Sequence, residues 1–125
     1  MGNIYSTFDM IHFEDIHKDE DNVLINTLPM NQQDILIYKT LNSQIECEII
    51  NDFIKKKNFE KKIIIYGKNY RDKTIIKKFN QFKKLGFKNI YIYFGGLFEW
   101  ALLQDIFSEE NFKTTGKIND ILKYK

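Results

Sequence analysis

A polar loop that follows a short apolar run is the part of the sequence best suited to chemistry. The run is Ile63–Tyr66, and the loop begins at Gly67. Main-chain N–H groups in such a loop, together with the free donors at the start of a following helix, can hold an anion. The predicted anion-binding or partner-binding residues are Gly67, Lys68, Asn69, Tyr70, Arg71, Asp72 and Lys73. None of them is Cys, Ser or Thr, so the pattern predicts a binding site more clearly than a reaction.

The elements that would position this loop alternate between strands and helices. Short apolar runs predict strands at residues 23–25, 35–38, 63–66 and 89–94. Apolar residues at spacings of three and four predict helices from 43 to 57, 75 to 85 and 97 to 107. Ser43 is the predicted cap of the first helix, and Gly86 the stop of the second. Residues 11–16 predict a short strand that runs into a helical turn.

This alternation predicts an α/β fold. We expect a small three-layer domain in which helices flank a mostly parallel central sheet, with right-handed crossovers between the strands. The helix predicted from 97 to 107 is apolar around most of its circumference, and we expect it to be largely buried. The domain is predicted to span residues 11–107, after an N-terminal segment of residues 1–10. Residues 108–125 are expected to form a polar tail, with a few apolar residues, that docks on the domain.

Composition limits the class of protein. The chain has 125 residues, of which 43% are hydrophobic, as expected for one packed domain. It contains one cysteine, Cys47, and no apolar stretch of the roughly 18 to 20 residues that a membrane helix needs. We therefore predict an intracellular, cytoplasmic protein.

The first six residues, Met1 to Ser6, match the short pattern for N-myristoylation, in which Gly2 is acylated. One acyl chain gives only marginal and reversible membrane binding. The sequence thus makes Gly2 a myristoylation candidate, with weak membrane association if it is acylated.

The formal net charge of +2 does not by itself predict a nucleic-acid partner, although residues 55–88 are rich in lysine. Most of these lysines are expected to solvate the outer faces of helices. A nucleic-acid accessory role is one hypothesis for them, but the sequence contains no recognised motif and no interleaving of aromatic and basic residues. No nucleic-acid partner is therefore expected.

Several short sequence segments, in their order along the chain, resemble those of a rhodanese-like domain. The most specific runs from Leu85 to Trp100: a helix that ends in Leu-Gly-Phe, a strand, then Gly-Gly and a Trp four positions after the second Gly. The other segments are residues 11–16, 23–27, 37–42 and 63–66. The resemblance covers roughly residues 11 to 107 and implies the three-layer α/β fold.

The sulfurtransferases of that family place a Cys at the first position of the loop, where it takes up sulfur as a persulfide. A thiolate held by main-chain amides at a helix start has a lowered pKa. This sequence has Gly67 at that position, and Asp72 where an Arg is common. Asn26 and Leu28 also replace an Asp and an Arg that are frequent in the family. These departures from the family pattern argue against a persulfide mechanism at this loop.

The remaining chemistry-bearing residues give weaker signals. Cys47 lies between Glu46 and Glu48 and is expected to be either a partly buried cysteine or an idle surface cysteine. His12 and His17 lack neighbouring ligands at a recognised spacing, so no metal and no cofactor are predicted. Trp100 is expected in the core. Glu99 is expected to cap the helix that follows Gly-Gly, the alternative being that it faces the loop.

Two further hypotheses about function follow from the resemblance. The first is a catalytically inactive rhodanese-like module that binds a protein partner or a small anion through the former active-site loop. The second is an enzyme, either a divergent sulfurtransferase or a relative of the rhodanese-fold phosphatases. Both kinds of enzyme need a nucleophile that the loop lacks.

Overall fold

Three apolar runs rich in isoleucine form a parallel sheet in the computed structural model, which describes residues 9–18 and 21–125. The strands are β1 (Val23–Asn26), β2 (Ile63–Tyr66) and β3 (Ile90–Tyr93), in the order β1-β2-β3. Asn26, Tyr66 and Tyr93 are aligned at the carboxyl ends of the strands. The loop that follows β2 therefore leaves the middle of that edge.

The described residues contain four α-helices, which lie between and around these strands: α1 (Phe13–Lys18), α2 (Ser43–Lys55), α3 (Thr74–Leu85) and α4 (Gly96–Ile106). Short 3-10 helices cover Met30–Gln32 and Ile121–Tyr124. Gly86 adopts a φ of 107° and ends α3 as predicted. The prediction that Ser43 caps α2 is wrong, because the side chain of Asn42 accepts hydrogen bonds from the main-chain N–H groups of Gln44 and Ile45.

The core has two parts because successive side chains of a strand point to opposite faces of the sheet. On one face, Ile64 and Tyr66 pack with Leu97 and Trp100 of α4. On the other face, Ile63 and Ile65 pack with side chains from α2 and α3. The sheet is thus enclosed between α1 and α4 on one side and α2 and α3 on the other. This arrangement confirms the predicted three-layer α/β architecture with parallel strands.

The structure corrects the expectation for residues 35–38, which form no strand. Ile37 makes only an isolated antiparallel bridge to Thr114. Its N–H donates to the hydroxyl oxygen of Tyr66 at 3.1 Å, and the N–H of Leu36 donates to Oγ1 of Thr115 at 2.9 Å. Two main-chain hydrogen bonds also join this segment to residues 113–115, from the N–H of Tyr38 to the carbonyl oxygen of Lys113 at 3.0 Å and from the N–H of Thr115 to that of Leu36 at 2.8 Å. The pairing is thus a single bridge and not a strand ladder, while Leu36 and Ile37 are buried as an apolar run requires.

Two smaller expectations also change. Residues 13–18 form α1, and the only β contact nearby is an isolated parallel bridge, within the described residues, between Met10 and Ile92. Helix α4 is less buried than predicted, since its outer face leaves Leu102 38% exposed and Ile106 69% exposed.

Residues 108–125 differ in how deeply their apolar side chains are buried. Leu122 is 70% exposed, whereas Phe112 and Tyr124 are buried against the face that contains Trp100. No helix among the described residues is long and apolar enough to cross a membrane. The myristoylation prediction for Gly2 falls outside the described residues and stays a prediction.

Candidate functional site

The loop from Gly67 to Lys73 is held in place by the start of α4. The main-chain N–H groups of Leu97 and Phe98 donate to the carbonyl oxygens of Gly67 and Lys68, at 3.0 and 2.9 Å. Gly96 makes this close approach feasible. It has a φ of +66°, and a Cβ on it would lie 2.6 Å from the carbonyl oxygen of Gly67. The Gly95-Gly96 turn and the start of α4 therefore support the main chain of the loop at Gly67 and Lys68.

Side chains of the loop itself occupy several of its amides. Asn69 is 7% exposed, and its Oδ1 accepts from the N–H of Arg71 at 2.9 Å. Asp72 accepts twice from main-chain groups, through Oδ2 from the N–H of Lys68 and through Oδ1 from the N–H of Thr74, each at 3.1 Å. The hydroxyl of Thr74 also donates to Oδ1 at 2.6 Å. The amide cradle expected from the sequence thus already contains a carboxylate.

Gly67 has no space for a side chain in this conformation. A Cβ on Gly67 would lie 2.5 Å from Oδ2 of Asp72 and 2.9 Å from both Oγ1 of Thr27 and Cγ2 of Ile75. Cβ contacts below 3.0 Å are essentially never tolerated without a shift of the neighbour. The position that a nucleophile would occupy is therefore filled by Asp72 and Thr27.

The cationic side chains of the loop differ in exposure but share a lack of carboxylate partners in the described part of the chain. Lys68 is half-buried, while Arg71 and Lys73 are exposed. Among the described residues, none of the three forms an ion pair. The guanidinium of Arg71 lies over the ring of Tyr70, 5.6 Å from its centroid, and that tyrosine is 60% exposed. These groups remain able to meet an anionic ligand.

An open cleft of about 560 Å³ lies beside the loop. Besides loop residues, it is lined by side chains that follow β1 or begin α3: Thr27, Pro29, Gln32 and Thr74. The hydroxyl oxygens of Thr27 and Thr74 are 2.8 Å apart. Oε1 of Gln32 is buried and makes no hydrogen bond within the described residues. Sequence reasoning missed these four residues, although Thr27 directly follows β1 and the carboxyl-edge rule points to it.

The structure does not bring the other candidate residues to the cleft. Cys47 is exposed on α2 and does not line it. His12 is exposed and lines a separate hollow of about 380 Å³, which Tyr70 also lines. The side chain of His17 is outside the described part of the chain. Within the described residues, no group of three or more His, Cys, Asp or Glu side chains could hold a metal ion.

Glu99 has a different contact from the cap that we expected. Oε1 of Glu99 accepts a hydrogen bond from the hydroxyl of Tyr93 at 2.9 Å. Burial raises the pKa of Tyr93 above its ordinary value, and the negative charge of Glu99 raises it further. The same carboxylate lies against Gly95, since a Cβ there would be 2.5 Å from Oε2. Glu99 therefore links β3 to the turn that supports the loop.

Tyr66 forms a second link below the loop. Its hydroxyl lies 2.6 Å from Oγ1 of Thr40 and accepts from the N–H of Ile37. Burial is the main cause that raises the pKa of this tyrosine, and the hydrogen bonds oppose the effect. The hydroxyl is thus a structural partner for the main chain of residues 37–40.

Comparison with known proteins agrees with this architecture. The family model described as the rhodanese-like domain matches residues 12–103. A search of curated proteins finds no match.

Proposed function

The chain belongs to the rhodanese-like domain family, and we propose that it is a non-catalytic member that binds an acidic segment of a protein partner. The binding site is the loop Gly67–Lys73 together with the adjoining cleft. The observation that carries the proposal is the combination, at this loop, of three cations that form no ion pair within the described residues and a first position that has no side chain.

Charge on the side chains, rather than the amides, is what the loop offers to a ligand. The N–H groups of Lys68, Arg71 and Thr74 already donate to Asn69 or Asp72. An extended acidic segment could instead lie in the cleft and place its carboxylates near Lys68 and Arg71. Such charge-assisted contacts are stronger than neutral hydrogen bonds, and an arginine can bind a carboxylate with two of its N–H groups.

A small inorganic anion is the alternative ligand of the same loop. It would have to displace the Asp72 carboxylate or rely on exposed cations alone, and surface ion pairs contribute little. A carboxylate-rich peptide gains by contacting several cations at once. For this reason we favour the protein partner.

Sulfur transfer or phosphate-ester hydrolysis would require a nucleophile near the loop. The single cysteine, Cys47, lies on the exposed surface of α2. The hydroxyls of Thr27 and Thr74 line the cleft, but the Thr74 hydroxyl donates to Asp72. These positions support the binding role over the enzymatic one.

A titration with a labelled hexaglutamate peptide tests the proposal. We expect binding to the unmodified protein that weakens about tenfold or more in Lys68→Ser/Arg71→Ser and falls with added salt. The matched control is Lys77→Ser/Lys84→Ser, which removes the same charge from exposed positions of α3. Equal weakening in both double variants would reduce the effect to net charge and contradict a site at the loop.

A further inference from the structure

We propose that the Asp72 carboxylate is a built-in anion that excludes free oxyanions, such as sulfate, phosphate and thiosulfate, from the loop. The inference rests on the proposed function, because it narrows the ligand of the loop to groups that reach Lys68 and Arg71 from outside. Asp72 is on this view a specificity-determining residue. It holds the loop amides and leaves the outer cations free.

The first argument is the set of donors around Asp72. Its two oxygens accept from two main-chain N–H groups and one hydroxyl, at 3.1, 3.1 and 2.6 Å. The N–H of Lys68 comes from the start of the loop, and the N–H and hydroxyl of Thr74 come from the start of α3. Donors from both ends of the loop therefore converge on one carboxylate. A free oxyanion would need the same donors, since backbone N–H groups of this kind are what bind anions at such turns.

The second argument is the place of the carboxylate relative to Gly67. Oδ2 lies 2.5 Å from the position of a Cβ on Gly67, and Oγ1 of Thr27 and Cγ2 of Ile75 close the remaining space. A free anion that is held over Gly67 would overlap with Oδ2. Steric exclusion and the negative charge of Asp72 act in the same direction.

The two arguments together predict that removal of the Asp72 carboxylate frees the loop N–H groups to bind an anion. In Asp72→Ala the N–H groups of Lys68 and Thr74 lose their acceptor, while Lys68 and Arg71 keep their positive charge. A second variant, Asp72→Ser, keeps a short side-chain oxygen of the kind that caps the N–H of Thr74 but is too short to fill the space over Gly67. It guards against failure of the alanine variant to fold.

The experiment is a sulfate titration followed by amide NMR, at an ionic strength held constant with sodium chloride. We expect the amide signal of Lys68 in both Asp72 variants, and that of Thr74 in Asp72→Ala, to shift saturably at sulfate concentrations at least about tenfold below any shift in the unmodified protein. Asp120→Ala is the matched control. Its carboxylate also caps a main-chain N–H, that of Leu122 at 3.1 Å, but lies outside the loop.

Two results would overturn the inference. One is a shift of these two signals in the unmodified protein at the same sulfate concentration as in the variants, because Asp72 would then exclude nothing. The other is the lack of a saturable shift in every folded Asp72 variant, because the loop would then contain no anion-binding site. Hexaglutamate binding to the unmodified protein is a separate result, so failure of the proposed function and failure of this inference can be told apart.

Discussion

The side-chain amide of Asn69 donates a hydrogen bond of 2.8 Å to the carbonyl oxygen of Tyr124. The other end of the same amide accepts from the N–H of Arg71. One buried side chain thus joins the candidate site to the 3-10 helix Ile121–Tyr124. The ring of Tyr124 is 1% exposed and packs in the core that contains Trp100. The shape of the loop therefore depends on how residues 121–124 pack.

We predict that Asn69→Ala destabilises the protein by about 1–3 kcal/mol, because it removes two hydrogen bonds and leaves buried main-chain groups unsatisfied. Urea unfolding monitored by Trp100 fluorescence measures this change. Asn89→Ala is the control, since the Asn89 amide donates to the carbonyl oxygen of Glu60 at 3.2 Å in an exposed setting. A loss as large in Asn89→Ala as in Asn69→Ala would show that burial of Asn69 is not what matters.

Gly67 and Asp72 are predicted to be energetically coupled. Gly67→Cys should cost about 1–3 kcal/mol, as overpacking usually does, because its Cβ would overlap with Oδ2 of Asp72. The double variant Gly67→Cys/Asp72→Ala should lose less unfolding free energy than the sum of the losses in the two single variants, by about 1 kcal/mol. Unfolding of the four proteins in a double-mutant cycle measures the difference. Additive losses would mean that the two side chains do not compete for the same space.

Gly96 is predicted to be essential for the position of the loop. Gly96→Ala would place a Cβ 2.6 Å from the carbonyl oxygen of Gly67 at a φ of +66°. We expect a loss of more than about 1 kcal/mol in unfolding free energy and weaker hexaglutamate binding. Gly116→Ala is the control, because its nearest contact would be 3.4 Å from Cγ1 of Ile35. Unchanged peptide binding by a folded Gly96→Ala protein would contradict the role of Gly96 in positioning the loop.

Stability is predicted to fall in alkali because burial raises the pKa values of Tyr66 and Tyr93 above the ordinary value of 10.0. Above pH 10 the unfolded chain releases these protons and the folded protein retains them. The contribution is thus complete below pH 10 and declines as the pH rises, by up to about 1.4 kcal/mol per pH unit for each tyrosine.

Urea unfolding between pH 8 and pH 11 measures this decline. Tyr93→Phe should make it shallower, because one of the two buried hydroxyls is then missing. Tyr70→Phe is the matched control, since the Tyr70 ring is 60% exposed. An identical slope for the unmodified protein and Tyr93→Phe would contradict the assignment to Tyr93.

The alternative enzymatic reading is tested by a thiosulfate:cyanide assay with mass spectrometry for a protein persulfide. We expect no sulfur transfer and no persulfide in either the unmodified protein or Cys47→Ser, because Cys47 is exposed on α2 and does not line the cleft. Activity that disappears in Cys47→Ser would identify this cysteine as the nucleophile and would contradict the non-catalytic proposal.

Much of the fold could be predicted from local patterns. Ile63–Tyr66 reads as a buried strand because four consecutive apolar residues need burial on both faces, and all four are buried. The stop of α3 at Gly86 could be predicted because a left-handed residue there favours glycine. Residues 35–38 misled the same reasoning. Leu36 and Ile37 are apolar because they are buried, but their N–H groups donate to side-chain oxygens of Thr115 and Tyr66. Among the described residues, this segment makes one isolated bridge, to Thr114, in place of a strand ladder.

The candidate site divides in the same way. Its place at the carboxyl edge of the sheet, its cations and its lack of a loop nucleophile are determined by the sequence alone, because strand order and residue type suffice for them. Only the tertiary structure decided that Asp72 fills the space over Gly67, that Thr27 closes it, and that Asn69 is bonded to Tyr124. These contacts join residues from separate elements or depend on the path of the loop. They arise only when strand register and helix packing have brought the main chain to within hydrogen-bond distance.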